Sequence, residues 1–142
     1  MIKKDTSELL RELESYSDFK RFYNENGESL LQKKTLGEYL GELIRSHGIK
    51  KADAIRRSEL SEVYAYQIFS GMRVPERKKL LALAVGMGLK LSEIQELLKV
   101  SGYAPLYVKN PFDCIVIWGI CKGLTVAEIN YTLFDYGEET LG

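Results

Sequence analysis

A single histidine, two cysteines and one tryptophan among 142 residues leave little room for several kinds of chemistry. His47 is far in sequence from Cys114 and Cys121, so a zinc site lacks ligands. The two cysteines are seven positions apart in one apolar segment. On a helix that spacing separates them by about 10 Å of rise, too far for a disulfide. They read as core thiols, and His47 as a surface residue of a helix's last turn. No long hydrophobic run occurs either: CIVIWGIC, from Cys114 to Cys121, is far short of the roughly 18 residues a membrane span needs. The first residues, MIKKDTSELL, lack the apolar region of a signal peptide. A soluble, cytoplasmic protein is expected. With no serine in a nucleophile elbow and no phosphate-cradling glycine loop, catalysis would have to run on scattered carboxylates and tyrosines. The expectation is a protein that is not an enzyme and needs no cofactor or metal.

Net charge is absent too, since 20 Lys and Arg balance 20 Asp and Glu. The balance is uneven along the chain. Residues 1–34 hold seven basic and seven acidic side chains, residues 35–90 ten and six, and residues 91–142 three and seven. The middle is thus basic and the end acidic. Such asymmetry is consistent with a surface for a polyanion, or with two halves that attract each other.

What is abundant is helix punctuation. Asp5-Thr-Ser-Glu8 resembles a capping box, and Phe19, Phe22 and Tyr23 suggest a second short helix ending near Gly27. Thr35-Leu-Gly-Glu38 opens a stripe of Leu36, Tyr39, Leu40, Leu43 and Ile44, closed by Gly48. Lys51 to Ser58 reads as a helix, Glu59 and Leu60 as a turn, and Ser61 as the cap of a helix ending at Gly71. Pro75 suits the first position of a helix carrying Leu80, Leu81, Leu83, Ala84 and Met87, and Ser92-Glu-Ile-Gln95 reads as a further capping box. After Gly102 the segment YAPLYVKNP is an irregular connection. One helix then enters through Asn110 and Pro111, and another through Thr125-Val-Ala-Glu128; their short link implies antiparallel packing. The run IVIW is β-like in isolation, but Pro111 and the capped surroundings favour a buried helix, with Trp118 in the core. The fold class expected is all-α, a compact bundle of short helices.

In order and spacing, residues 36–89 resemble the phage-repressor and Cro type of helix-turn-helix domain, the XRE-like family. LGEYLGELIRSHGI stands as its first helix, KKADAIRRSEL as the second helix and turn, SEVYAYQIFSG as the recognition helix, and MRVP with KKLLALAVGMGL as the passage into its fourth helix. The family's glycine-x-x-x-proline passage is present as Gly71-Met-Arg-Val-Pro75. The flanking segments are similar to those of little-described bacterial regulators in that family. The resemblance implies three parts: an N-terminal helical extension (residues 1–34), a five-helix DNA-binding domain (35–100), and a C-terminal helical pair (101–142) packed on the core or at a dimer interface.

The resemblance also implies roles. Ala65 and Ile68 face the core, leaving Glu62, Val63, Tyr64 and Gln67 as candidates for base contact in the major groove. Gln67 can bond adenine bidentately, Glu62 can accept from a cytosine amine, and Val63 can touch a thymine methyl. Lys50, Lys51, Ser61, Arg73, Lys78 and Lys79 are candidates for phosphate contact, with Lys51 at the start of the second helix. Against this stands a plainer reading in which Tyr64, Tyr66 and Phe69 pack and the KK and RR pairs are solvated faces. Three departures from the family pattern are visible. Glu59 sits at a turn position that often requires positive φ, where glycine is usual. Ile55 replaces the usual alanine, and Phe69 an acidic residue.

The function this implies is a sequence-specific, double-stranded-DNA-binding transcriptional regulator. Few basic groups make a monomer a weak binder, so a homodimer is expected, joined through terminal helices rich in Ile115, Ile117, Trp118, Leu133 and Phe134. The alternative is a protein-interaction module that keeps the scaffold and docks a protein partner through the aromatic helix or the acidic C-terminal pair.

Overall fold

A computed structural model describes residues 4–30 and 35–142. The proposed N-terminal extension also includes residues 1–3 and 31–34, which lie outside the described residues, as do the charges of Lys3, Lys33 and Lys34. Among the described residues there are nine α-helices and no strand, so the chain is an all-α bundle of short helices. Contacts divide it into two units, Met1–Lys34 and Thr35–Gly142.

The first unit is a helical hairpin. Helix α1 (Thr6–Ser15) starts where the Asp5 carboxylate accepts the Glu8 N–H, and α2 (Phe19–Asn26) starts at Asp18, which accepts from Lys20 in the same way. Between them Lys4 Nζ bridges Glu12 Oε1 and Asn26 Oδ1, both at 2.6 Å. Phe22, with Tyr16 edge-on to its ring, is the buried apolar side chain among the described residues of this unit.

The second unit holds seven helices: α3 (Leu36–His47), α4 (Lys51–Ser58), α5 (Glu62–Ser70), α6 (Arg77–Gly86), α7 (Leu91–Val100), α8 (Pro111–Cys121) and α9 (Val126–Asp135). Side-chain caps set four of the starts. Thr35, Ser61, Asn110 and Thr125 each accept the backbone N–H three residues on, and the Glu128 carboxylate returns a bond from Thr125 N–H to complete a capping box. Two expected starts shift. Helix α6 begins at Arg77 rather than Pro75, because the chain stays extended through Glu76 (ψ 158°). Helix α7 begins at Leu91, where the Glu93 carboxylate reaches back to Lys90 N–H at 2.9 Å, so Glu93 and not Ser92 sets the start.

Helix α6 is the axis of this unit. Leu80, Leu81, Ala82, Leu83 and Ala84 are five consecutive residues with no exposed surface, as in a helix covered on every side. Helix α4 lies against it on one side, with α7 and α9 around it, while α3 packs on α5 and α8 on α7 and α9. Glycine permits the closest of these approaches. A Cβ on Gly86 would stand 2.6 Å from the Ala54 carbonyl oxygen and 2.7 Å from the Ser58 nitrogen, so the α4 backbone rests directly on α6. Gly37 does the same for α3 against the Phe69 carbonyl.

Three polar clasps fasten the irregular segments. Arg77 forms a two-pronged ion pair with Asp113 at 2.9 and 3.0 Å, and donates as well to the carbonyls of Ala104 and Pro105; Asp113 also accepts from Tyr107 N–H. The Gln95 side-chain amide pairs with both backbone groups of Leu106, and Asn130 does so with Leu141. The chain after α9 thereby returns to the core, burying Leu141 and bringing Gly142 beside Leu60.

The outer side of α8 departs from the expected buried helix. Val116 and Gly119 face inward, but Cys114 and Cys121 are exposed, and Trp118 keeps 44% of its surface. Neither cysteine is a core thiol. Phe112, Ile115, Ile117 and Ile120 are partly buried against the core, so the apolar run is longer than the covered part of the helix and its remaining side, Cys114, Trp118 and Cys121, stands exposed.

Two substitutions separate the packing constraint from helix propensity. Gly86→Ala places a methyl group against backbone and is expected to cost about 3 kcal/mol. Gly41→Ala, whose Cβ meets only the flexible end of Arg45, is expected to stabilise by about 1 kcal/mol. Thermal denaturation of both variants checks the pair. In the same assay, Arg77→Ala strands the buried Asp113 carboxylate and is expected to cost about 3 kcal/mol or more.

Candidate nucleic-acid interface

The segment from α4 to the start of α6 builds one exposed surface. Helix α4 ends in a left-handed residue, Glu59 (φ 60°, ψ 12°), the one non-glycine with positive φ among the described residues. The expectation that this turn position requires positive φ is met. Ser58, buried at the corner, donates its hydroxyl to the Ile55 carbonyl and accepts the Leu60 N–H, which holds the turn shut. Three residues after Ser58, Ser61 caps α5, its Oγ accepting Tyr64 N–H at 3.2 Å. Gly71 (φ 85°) closes the helix.

Of the candidates for base contact, Glu62 and Val63 are exposed on the first turn of α5, and Gln67 is half-buried. Its Oε1 accepts Arg73 Nε–H at 2.9 Å. Tyr64 does not point outward. It is half-buried against the core, with Lys79 Nζ 4.7 Å and Arg73 Cζ 5.3 Å from its ring centroid. Burial pushes its phenol above the usual tyrosine range, and Glu76 adds to the rise. Tyr66, 41% exposed, faces outward instead, beside Val63, which is 70% exposed. Helix geometry could have found it: with Ala65 and Ile68 inward, the 100° step leaves Tyr66 about 50° from the outward direction and Tyr64 about 110°.

Among the candidates for phosphate contact, Lys50 and Lys51 are exposed at the start of α4, which carries no side-chain cap. Lys51 lies over the Phe69 ring, 4.9 Å from its centroid, on one edge of α5. Arg73 and Lys79 occupy the other edge, above Tyr64. Ser61 is exposed with its oxygen engaged in the cap. Lys78 is turned toward the tail, 3.9 Å from Glu139. The surface therefore has cations along both edges and a shallow hollow of about 580 Å³ along its middle, lined chiefly by Val63, Tyr66, Phe69 and Met72, with Glu62 at one end. Of the departures from the family pattern, Ile55 is buried in the core, and Phe69 is the shelf on which Lys51 rests.

No family model matches the chain, and no curated protein or solved structure matches it either. Among the described residues, no group of three or more His, Cys, Asp and Glu is placed to hold a metal ion, and no helix is long and apolar enough to cross a membrane.

The turn yields a direct test. Glu59→Gly removes the left-handed strain of a side-chain-bearing residue, about 1–2 kcal/mol, and adds back part of it as glycine's chain entropy. A net gain of up to about 1 kcal/mol is expected in chemical denaturation, whereas Glu59→Val at the same position is expected to destabilise.

Proposed function

We propose that the chain is a sequence-specific DNA-binding transcriptional regulator of the phage-repressor type, with α5 entering the major groove. The observation that carries this reading is the exposed, Ser61-capped first turn of α5 lying between Lys51 on one edge and Arg73 and Lys79 on the other. A protruding helix with cations along both edges can seat in a groove whose two walls are phosphate. The open first turn of α4 adds backbone N–H groups near Lys51, which suit a phosphate oxygen. Within the groove, Glu62, Val63, Tyr66 and Gln67 meet base edges, and Arg73 both orients Gln67 and reaches the backbone.

The apolar hollow favours a second reading, in which the same scaffold docks a protein. Val63 and Met72 expose large hydrophobic surface in the hollow beside Tyr66, and Glu62 opposes a polyanion. A stoichiometric protein partner in pull-downs, together with no binding to any duplex at low salt, would select this reading over the first.

Random-oligonucleotide selection with the full chain, then titration of the selected duplex, tests the DNA reading. With three or four phosphate contacts, affinity should fall about 50- to 100-fold between 50 and 200 mM salt. The double variant Lys51→Ala, Gln67→Ala should lose about 2–4 kcal/mol of binding and lower the salt slope by about one. Unchanged affinity in that variant sinks the proposal.

A further inference from the structure

Lys51, Arg73 and Lys79, the cations along the two edges of α5, share one feature. Each stands over an aromatic ring, and both rings belong to α5 itself. With Ala65 and Ile68 inward, the 100° step places Tyr64 about 70° to one side of the inward direction and Phe69 about 70° to the other. The rings therefore occupy opposite flanks of the helix, each half-buried against the core. The cations come from three other segments: Lys51 begins α4, Arg73 lies in the connection after Gly71, and Lys79 is in the first turn of α6. All three are within the roughly 6 Å over which a ring face attracts a cation. Arg73 is held at two further points, by its Nε–H on Gln67 Oε1 and by its backbone N–H on the Gln67 carbonyl at 3.2 Å.

We propose that Tyr64 and Phe69 are positioning residues of the DNA surface, each ring holding the cations of one edge in place before a duplex arrives, without itself reading a base. The inference rests on the DNA-binding reading and deepens it. A long basic side chain at a surface samples many rotamers, and it meets a phosphate only in the fraction of them that points the right way. A ring face narrows that choice. It attracts the ammonium or guanidinium from one side and leaves the outer N–H groups to a phosphate oxygen. The platforms are themselves fixed, because Tyr64 and Phe69 both pack against the core while the cations lie outside it. Burial, and after it Glu76, pushes the Tyr64 phenol up, so the ring stays protonated and acts through its face rather than as a phenolate. Two departures are thereby accounted for together. Tyr64 packs where base contact was expected, and Phe69 replaces an acidic residue, yet both put a ring under a cation.

The test uses the full chain and the selected duplex, with leucine replacing each ring so that an apolar group stays in the packing. Phe69→Leu and Tyr64→Leu are each expected to weaken binding about 3- to 10-fold with the salt slope unchanged, because the cations remain. Tyr64→Phe keeps the ring and is expected to bind as the wild type does. A double-mutant cycle separates positioning from packing: in a Lys51→Ala background, Phe69→Leu should have no further effect. A loss of the same size with and without Lys51 overturns the proposal, and so does wild-type affinity in both leucine variants. Without DNA, nuclear relaxation of the Lys51 ammonium should show restricted motion that Phe69→Leu releases. Equal mobility in the two chains also overturns it. A chain that binds no duplex at low salt, even with Lys51 restricted in this way, removes the DNA reading and this role with it, whereas a duplex bound without regard to either ring removes the role alone.

Discussion

The contact of α4 backbone on Gly86 is the constraint from which the geometry of the exposed surface derives. Because no side chain separates the two helices there, α4 is fixed in height against α6. The buried Ser58 corner and left-handed Glu59 then hand that position on to α5 through a three-residue turn. On its other side α5 is held by the bare approach of Gly37 to Phe69. A helix of nine residues is too short to be stable alone, so its orientation is inherited from these two glycine contacts.

Around that frame, polar clasps do what regular structure cannot. Arg77 and Asp113 are far apart in sequence, yet their ion pair joins the start of α6 to the start of α8 and collects three backbone groups of the intervening segment. The pair lies at a helix start adjacent to Glu76 and Lys79, so the edge of the α5 surface is anchored to the C-terminal hairpin. The return of Leu141 to the core, beside the Leu60 turn, ties the end of the chain to the same corner.

Much of this was legible in the sequence because helix starts are written in short side chains. Thr35, Ser61, Asn110 and Thr125 cap where their spacing to the next apolar stripe says they should, and Gly48, Gly71 and Gly123 end helices with positive φ. The misjudged starts at α6 and α7 have no short N-cap side chain of that kind; Glu76 and Lys90 hold those positions in extended backbone. The exposure of Trp118, Cys114 and Cys121 was not legible, since a helix apolar all round reads the same whether one side is covered by its own chain or by another. Nor were the clasps, which depend on which distant segments meet. The exchange of Tyr66 for Tyr64 on the outward side is different, because the inward pair Ala65 and Ile68 already fixed the angle.

The proposed reading makes α5 the face that meets DNA. It is tested most directly by tracking backbone amide resonances of the full chain as a selected duplex is added at low salt. The largest shifts are expected at Ser61 to Ser70, at Lys51 and from Arg73 to Lys79, with α8 and α9 little changed. Shifts confined to α8 and α9, or none at all, would contradict it.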